Sequence, residues 1–160
     1  MLKINIFCVG SIKENFLKEA VLEYKKRLNK YVSINIEEVK EARIESFENT
    51  ILIEKTLNEE GQRLLKKIGK DDFVVLSDLH GKEISSEEFA NVLNGLKNKG
   101  YSTIDFVIGG TLGLSNSLRE RSNYKLCLSK MTFPHQLTRL ILLEQIYRAC
   151  KINNNESYHH

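Results

Sequence analysis

Residues 106–115, FVIGGTLGLS, join a short apolar run to three glycines that fall within five positions. Apolar and β-branched residues favour a strand. Glycine lets the chain turn sharply, and because it has no side chain, it also lets a ligand contact the peptide backbone. The stretch therefore predicts a buried strand that ends in a loop. That loop has two possible roles, a plain turn into a helix or a contact with a small molecule.

Apolar, β-rich runs alternate with amphipathic helical patterns on both sides of this stretch. Such alternation is typical of βαβ units, and it predicts an α/β fold with a mostly parallel sheet covered by helices on both faces. The predicted strands are 3–9, 32–39, 73–76, 103–108 and 125–128, and the predicted helices are 14–28, 49–68, 86–96, 115–122 and 134–151.

Local signals mark several of these boundaries. Residues 85–88, SSEE, combine a hydroxyl cap with early acids, as expected at a helix start. Pro134 suits the first turn of the last helix, where its missing N–H costs nothing. Gly61 costs about 1 kcal/mol relative to alanine inside a helix and is a point where the second helix could bend or split. The charged residues 40–48 are predicted to form a loop.

The composition is that of an ordinary globular protein. Of 160 residues, 41% are hydrophobic and 28% charged, so we predict one domain over residues 1–160. No apolar run is long enough to span a membrane, and the first residues do not resemble a signal peptide, so we expect a cytoplasmic protein. The net charge of +3 permits a nucleic-acid partner without indicating one.

The cysteines and the motif search argue against several classes of enzyme. Cys8, Cys127 and Cys150 are odd in number and match no zinc spacing, so we predict buried thiols, no disulfide framework and no metal site. The patterns GxGxxG, GxxxxGK[ST], GxSxG and HExxH are absent. Dinucleotide-binding, phosphate-loop, serine hydrolase and zinc protease functions are therefore poorly supported.

Three predicted strand ends in the second half of the chain carry polar residues or glycines. They are residues 76–82, LSDLHGK, residues 108–113, IGGTLG, and residues 128–135, LSKMTFPH. Ligands of open α/β sheets bind outside the carboxyl ends of the strands. We therefore predict that these segments form one pocket.

The last predicted helix is apolar around nearly its whole circumference. A helix of this kind is buried on all sides, and one sheet cannot cover it, so we predict a homodimer in which a second copy supplies the cover. The alternative is a helix that lies under the C-terminal tail. Glu144 and Arg148 are spaced to form an ion pair. The apolar positions are Leu137, Leu140, Ile141, Leu142, Leu143, Ile146, Tyr147, Ala149 and Cys150.

The chain resembles a known family in three segments. They are IGGxxGLS from residue 108, SNYxLxLSKMTFPHQLTRLILLEQIYRA from residue 122, and SYH at residues 157–159. Together with the opening VGSIKE, this pattern resembles the RlmH (YbeA-like) family of SPOUT methyltransferases. The resemblance covers the whole chain.

The resemblance implies a fold detail and an activity that no periodicity in the sequence predicts. It implies a homodimer with a trefoil knot in the C-terminal half, although general topology rules make knots rare. It also implies S-adenosylmethionine as cofactor and N3 of a pseudouridine in the helix 69 loop of 23S rRNA, on the assembled ribosome, as the methylated atom. The alternatives are methylation of another RNA such as tRNA, a non-catalytic ribosome-binding module, and a flavodoxin-like nucleotide-binding protein.

The resemblance also implies which residues contact the cofactor, and they fall at the same three strand ends. Ser77 departs from the leucine that relatives often have, and His160 departs from a basic terminal residue. The implied contacts are Leu76, Ser77, Gly109, Leu128, Ser129, Lys130, Met131, Thr132 and Phe133.

Methylation at N3 requires that the N3 proton leave, which takes a base or a donor that stabilises the developing anion. We predict Tyr158 and His159 as catalytic residues, with His135 as a further candidate near the implied pocket. The alternative for His135 is a structural hydrogen bond, and for the other two a mobile chain end.

Several other residues are candidates for contacts with RNA. Lys130 is the favoured basic residue because it lies in the last of the three segments. Arg139 and Arg148 suit phosphate binding, although Glu144 offers Arg148 a structural partner. Ser11 and Lys13 would extend the same surface, the alternative being a solvated turn.

Overall fold

A computed structural model describes residues 1–158, which form five strands and five helices. They occur in the predicted order and close to the predicted positions. The strands are β1 (Lys3–Val9), β2 (Ser33–Val39), β3 (Phe73–Glu83), β4 (Thr103–Ile108) and β5 (Tyr124–Cys127), and the helices are α1 (Asn15–Leu28), α2 (Thr50–Leu65), α3 (Ser86–Asn98), α4 (Asn116–Arg121) and α5 (His135–Asn153).

The strands form one parallel sheet in the order β2-β1-β4-β3-β5. Lys3 in β1 pairs with Ser33 in β2 and with Thr103 in β4, so the first strand lies between them in matched register. This arrangement confirms the predicted sheet. Because the strands are parallel, the loops that leave their carboxyl ends all lie along one edge.

Helices cover both faces of the sheet, as predicted. Side chains alternate along a strand, so Ile4 and Ile6 of β1 pack with α1, α3 and α5, whereas Phe7 and Val9 pack with α2 and α4. The charged residues 40–48 form the predicted loop between β2 and α2. Ser85 and Glu88 form a reciprocal capping box, which confirms the predicted start of α3.

The apolar helix α5 lies against the sheet with α1 and α3 on either side. Leu142, Leu143 and Ile146 are almost completely buried, which accounts for much of the apolar pattern within one chain. Leu137 and Ile141 stay half-buried. Helices α1 and α3 therefore bury part of the apolar surface of α5. The half-buried side of α5 is the part that a second copy could cover.

The structure decides between the alternatives at Gly61 and corrects the expectation at Pro134. Helix α2 continues through Gly61, where an added Cβ would lie 2.3 Å from Oγ of Ser115. Glycine at this position therefore permits the close approach of α2 to the start of α4 and does not break the helix. Pro134 is the N-cap of α5 and not part of its first turn, because its backbone is not helical, with φ −54° and ψ 137°.

Strand β3 is longer than the predicted 73–76. Ser77 and Lys82 both pair with Leu126 of β5, so residues 78–81 bulge out of the sheet before pairing resumes. An added Cβ at Gly81 would lie 2.7 Å from the carbonyl carbon of Lys125, which shows how closely the bulge passes over β5. The apolar pattern ends at Leu76, and for that reason the sequence did not predict the extension.

The predicted burial of the thiols is confirmed. Cys8, Cys127 and Cys150 are buried and free, and burial raises the pKa of Cys8 to about 12 and that of Cys150 to about 11. Thiols with such pKa values stay protonated at neutral pH and behave as small apolar groups. Within residues 1–158, no helix is both long and apolar enough to cross a membrane.

Candidate functional site

The bulge of β3 and the loops that leave β4 and β5 line one cavity of about 550 Å³, here called the strand-end cavity. Its size falls in the range of roughly 300–1,000 Å³ that is typical of small-molecule sites. The predicted convergence of the three strand ends is thus observed. Its lining comprises residues 77–80, 108–114, 128, 129 and 131–135, together with Arg119 and Thr138.

The glycine-rich loop after β4 forms one wall of this cavity and folds back on itself. The amide of Gly113 donates to the carbonyl oxygen of Gly110 at 3.1 Å, and Gly113 has a φ of +97°, which favours glycine. An added Cβ at Gly109 would lie 2.3 Å from the carbonyl oxygen of Gly113. The loop is therefore both a tight turn and a cavity wall, and the shape of the turn is what requires glycine at position 109.

The loop after β5 forms the opposite wall. Oγ of Ser129 accepts a hydrogen bond of 3.0 Å from the amide of Met131, which orders the turn. Phe133 is half-buried, whereas Met131 is 76% exposed at the cavity mouth. The loop therefore presents apolar side chains and backbone groups to the cavity.

Seven of the nine expected cofactor contacts line the cavity, and two do not. Leu76 is completely buried in the core beneath the loops. Lys130 points to solvent, its side chain is 85% exposed, and its ammonium lies 3.4 Å from Glu83. The seven lining residues are Ser77, Gly109, Leu128, Ser129, Met131, Thr132 and Phe133.

Asp78 and Arg119 form an ion pair in the cavity wall that sequence reasoning did not find. The Asp78 side chain is almost completely buried, and its other oxygen accepts a hydrogen bond of 3.0 Å from the amide of His80. The pair joins the bulge of β3 to helix α4. The two residues lie 41 positions apart, so their spacing does not predict the pair. The only sign in the sequence is the carboxylate of Asp78 at the end of an apolar strand, because a buried carboxylate requires a partner.

His135 begins α5 and lines the strand-end cavity. Burial lowers the pKa of its imidazole, and the nearby Arg139 and Lys13 lower it further against the opposing effect of Glu41. The imidazole is therefore neutral at pH 7, with one N–H donor and one nitrogen that accepts.

Tyr158 lies away from the strand-end cavity of its own chain. Its hydroxyl donates to Glu144, and its ring lies 4.0 Å beneath the guanidinium of Arg148. Burial and the carboxylate of Glu144 raise the pKa of Tyr158 to about 12. Glu144 is separated along α5 from Thr138, which lines the cavity, by roughly 9 Å of helical rise. His159 and His160 lie outside the described residues.

The two arginines of α5 have structural partners. Arg148 pairs with Glu144 at 3.0 Å, which confirms the predicted pair. Arg139 is only 1% exposed, and its guanidinium binds Glu38 and the carbonyl oxygen of Gly10. Burial therefore rules out the suggested role of Arg139 in binding RNA phosphate. Residues 1–158 contain no group of His, Cys, Asp and Glu side chains arranged to hold a metal ion.

Comparisons with known proteins agree with this geometry. A family model described as "Predicted SPOUT methyltransferase" matches residues 2–159. "Ribosomal RNA large subunit methyltransferase H" of Clostridium acetobutylicum is 49% identical over 159 residues, covering 99% of each chain. The protein of the same name from Clostridium botulinum (strain Hall) is 50% identical over 160 residues, again covering 99% of each chain.

A solved structure shares the fold at low sequence identity. It is described as "a probable methylase family protein from Haemophilus influenzae Rd KW20", and it superposes with a TM-score of 0.56 at 14% identity over 98% of this chain and 70% of the other. This likeness concerns the fold alone. The family match and the relatives together show that the chain belongs to the SPOUT methyltransferases, in the family of ribosomal RNA large subunit methyltransferase H.

Proposed function

We propose that this protein uses S-adenosylmethionine to methylate N3 of a pseudouridine in the helix 69 loop of 23S rRNA, with the assembled ribosome as substrate. The observation that carries the proposal is the strand-end cavity, in which three loops from neighbouring strands meet. The names of the relatives support a large-subunit rRNA as the target. A ribosomal substrate also agrees with a cytoplasmic location.

The residues of the strand-end cavity suit an adenosyl ligand. The glycine-rich loop offers bare peptide groups, and Ser77, Ser129 and Thr132 offer hydroxyls for ribose and adenine. Leu128 and Phe133 offer apolar surface that excludes water. We assign these residues, with Gly109 and Met131, to hold the cofactor, with Leu76 supporting them from below and Lys130 at the rim.

Methyl transfer of this kind requires little covalent catalysis by the protein. S-adenosylmethionine supplies a methyl group that its sulfonium already makes electrophilic. The cavity residues hold the reactants in line, and such positioning is a large part of the barrier reduction in reactions of this type. The paired charges of Asp78 and Arg119 join the bulge of β3 to α4 and leave no net charge in this part of the cavity wall.

Tyr158 and His159 remain our proposed catalytic residues, and they require a homodimer. With a pKa of about 12 the Tyr158 hydroxyl stays protonated, so once it turns away from Glu144 it acts as a donor to a developing anion and not as a base. Tyr158 packs against Glu144 and Arg148 of α5, away from the strand-end cavity of its own chain, and this supports a chain end that serves the cavity of a second copy. The half-buried side of α5 is the surface through which that copy would pack.

We extend the proposal to the path of the chain, which would form a trefoil knot in its C-terminal half. The support is the tight passage of residues 78–81 over β5, where Gly81 lies against the backbone of Lys125. A knot needs segments of the chain that pass closely over one another, and residues 78–81 lie this closely against β5.

Calorimetry with S-adenosylhomocysteine tests the cofactor. We expect one molecule bound per subunit with micromolar affinity, because the cavity is preformed. No binding at millimolar concentration would overturn every methyltransferase proposal for this chain.

Methyl transfer tests the substrate. The protein and labelled S-adenosylmethionine are incubated separately with ribosomes that lack the modification, with free 23S rRNA and with tRNA. We expect label at N3 of the helix 69 pseudouridine, and only in ribosomes. Label in tRNA alone would favour a tRNA methyltransferase, and cofactor binding without transfer to any RNA would favour a non-catalytic ribosome-binding module.

A further inference from the structure

A second cavity of about 490 Å³ opens beside the strand-end cavity, and we call it the β1–β2 cavity. The ends of β1 and β2 and the loops that follow them form its walls, through Gly10, Ser11 and Lys13 and through residues 38–41. His135 and Thr111 line both cavities and form the boundary between them. A group bound in one cavity is therefore adjacent to a group bound in the other.

Gly10 lies close to two polar side chains of this cavity. A Cβ added to Gly10 would lie 3.8 Å from Oε2 of Glu41 and 4.0 Å from Nε2 of His135, so a carboxylate and an imidazole approach the same point. Gly10 has a φ of +79°, a conformation that side chains other than glycine rarely adopt. The backbone of Gly10 therefore stays bare, and two hydrogen-bond acceptors lie near it.

The position of Gly10 is held from below. Arg139 is buried, and its guanidinium donates to the carbonyl oxygens of Gly10 at 2.7 Å and of Val9 at 3.4 Å. The same guanidinium binds Glu38 at 3.0 Å. The turn after β1 is thus fixed before any ligand arrives, which lowers the entropic cost of binding.

The polar groups of the cavity specify the kind of ring that fits. The carboxylate of Glu41 only accepts hydrogen bonds, and the neutral imidazole of His135 offers one accepting nitrogen. Lys13 and Lys40 form no ion pair within residues 1–158, so their ammonium groups can meet a phosphate. The ligand that fits is a nucleotide whose base has two ring N–H groups. Pseudouridine has N1–H and N3–H, whereas N1 of uridine is bonded to ribose.

We propose that the β1–β2 cavity binds the target nucleotide, with Glu41 accepting a hydrogen bond from N1–H of pseudouridine and His135 accepting the proton of N3. This inference rests on the proposed function and locates its RNA substrate. It makes Glu41 the residue that distinguishes pseudouridine from uridine.

The transfer balances with the groups named. The N3–H bond breaks, its electron pair forms the new bond from N3 to the methyl carbon, and the proton passes to the free nitrogen of His135. The bond from the methyl carbon to sulfur breaks and leaves its electron pair on sulfur. The protonated imidazole then loses its proton to water. The lowered pKa of His135 keeps the imidazole unprotonated before the reaction.

Nucleotide binding tests the cavity without any methyl transfer. Pseudouridine 5′-monophosphate and uridine 5′-monophosphate are titrated separately into the isotope-labelled protein while amide chemical shifts are recorded. We expect shifts at Gly10, Ser11 and Lys40, larger for the pseudouridine nucleotide. Shifts confined to other surfaces, or no preference between the two nucleotides, would overturn the proposal.

A variant that fills the β1–β2 cavity, compared with a matched control, tests whether the nucleotide binds there. Ser11→Phe places a large ring in the β1–β2 cavity, whereas Ser102→Phe makes the same change at an exposed serine just before β4, at the opposite edge of the sheet. We expect Ser11→Phe to lose the nucleotide shifts and to bind S-adenosylhomocysteine normally, and Ser102→Phe to retain both. Unchanged nucleotide binding by Ser11→Phe would overturn the proposal.

Two further variants test the proposed roles of Glu41 and His135. Glu41→Ala should lower the preference for ribosomes that carry pseudouridine over ribosomes with uridine at that position by about tenfold, the scale of one charge-assisted hydrogen bond. His135→Gln should lower kcat by roughly 10²-fold with little change in KM. An undiminished kcat for His135→Gln would overturn the proton-transfer role. If the unaltered protein neither binds S-adenosylhomocysteine nor methylates RNA, the proposed function fails, whereas the nucleotide titration still decides whether the β1–β2 cavity binds its base.

Discussion

The guanidinium of Arg139 donates a hydrogen bond of 2.7 Å to the carbonyl oxygen of Gly10, across 129 residues of sequence. This contact joins the last helix to the turn after the first strand. It also holds Glu38 at the end of β2, so one buried side chain fixes two of the loops at the carboxyl edge of the sheet. The shape of the β1–β2 cavity therefore depends on how α5 packs.

Removal of this guanidinium should destabilise the protein. We predict that Arg139→Met lowers the free energy of unfolding by about 3 kcal/mol, because the carbonyl oxygen of Gly10 and the carboxylate of Glu38 lose a buried partner. Urea denaturation measures the change. Arg27→Met, which removes an exposed ion pair with Glu23, is the control and should cost less than about 1 kcal/mol. Equal losses in the two variants would contradict the prediction.

Gly109 should tolerate no side chain. Gly109→Ala places a methyl group 2.3 Å from the position of the Gly113 carbonyl oxygen, so the glycine-rich loop must open. We predict at least a tenfold loss of affinity for S-adenosylhomocysteine by calorimetry, and no measurable binding for Gly109→Leu.

Gly95 supplies the matched control for that experiment. An added Cβ at Gly95 meets no atom within 4 Å, so Gly95→Ala in α3 should leave the affinity unchanged and stabilise the helix by about 0.5–1 kcal/mol. Normal affinity in Gly109→Ala would show that the loop is not part of the cofactor site.

Asp105 should make stability depend on pH. Burial, with a smaller contribution from the nearby Asp72, raises the pKa of its carboxyl from 3.8 to about 6, although a hydrogen bond from Asn5 opposes the shift. The folded protein therefore holds a proton that the unfolded chain releases, and the free energy of unfolding should fall as pH rises from about 4 to about 6.

Asp105→Asn tests this effect because it keeps the shape of the side chain without its charge. We predict that the variant loses this part of the pH dependence and is more stable than the unaltered protein at pH 7.5, by at most about 3 kcal/mol. Urea denaturation across the pH range measures it. Parallel pH profiles for the two proteins would contradict the assignment.

The chain end should affect turnover and not cofactor binding. We predict that Tyr158→Phe lowers methyl transfer by roughly 10²-fold, the cost of losing one donor to a developing anion. His159→Ala should also lower turnover. Calorimetry with S-adenosylhomocysteine should show normal affinity for both variants, and a large loss of affinity in either would place the chain end in the cofactor site instead.

Mixed dimers test whether that chain end serves a second copy. A dimer of one Gly109→Leu chain and one Tyr158→Phe chain keeps one intact site if the cavity and the tail come from different chains. Random mixing of the two inactive variants should then restore about one quarter of full activity. No recovery would mean that each site is built from one chain. A monomer at micromolar concentration by light scattering, with full activity, would likewise contradict the dimer.

Much of the fold follows from the sequence because it depends on local patterns. Alternating apolar and amphipathic segments predict the parallel sheet, and parallel strands bring their carboxyl ends to one edge, which explains why the three strand ends form one cavity as expected. The capping box at Ser85 and the pair of Glu144 with Arg148 involve residues three or four positions apart, so their spacing alone predicts them.

Tertiary packing decided the rest, because it joins residues whose separation in sequence carries no pattern. Asp78 forms its ion pair with Arg119, and the carbonyl oxygen of Gly10 accepts its hydrogen bond from Arg139, only after the helices pack on the sheet. The same packing makes Gly61 a point of close approach inside an unbroken helix, and it buries Arg139, which the sequence suggested as a phosphate ligand. A short apolar run predicts a strand, but which distant side chain satisfies a buried polar group is settled by the shape of the folded chain.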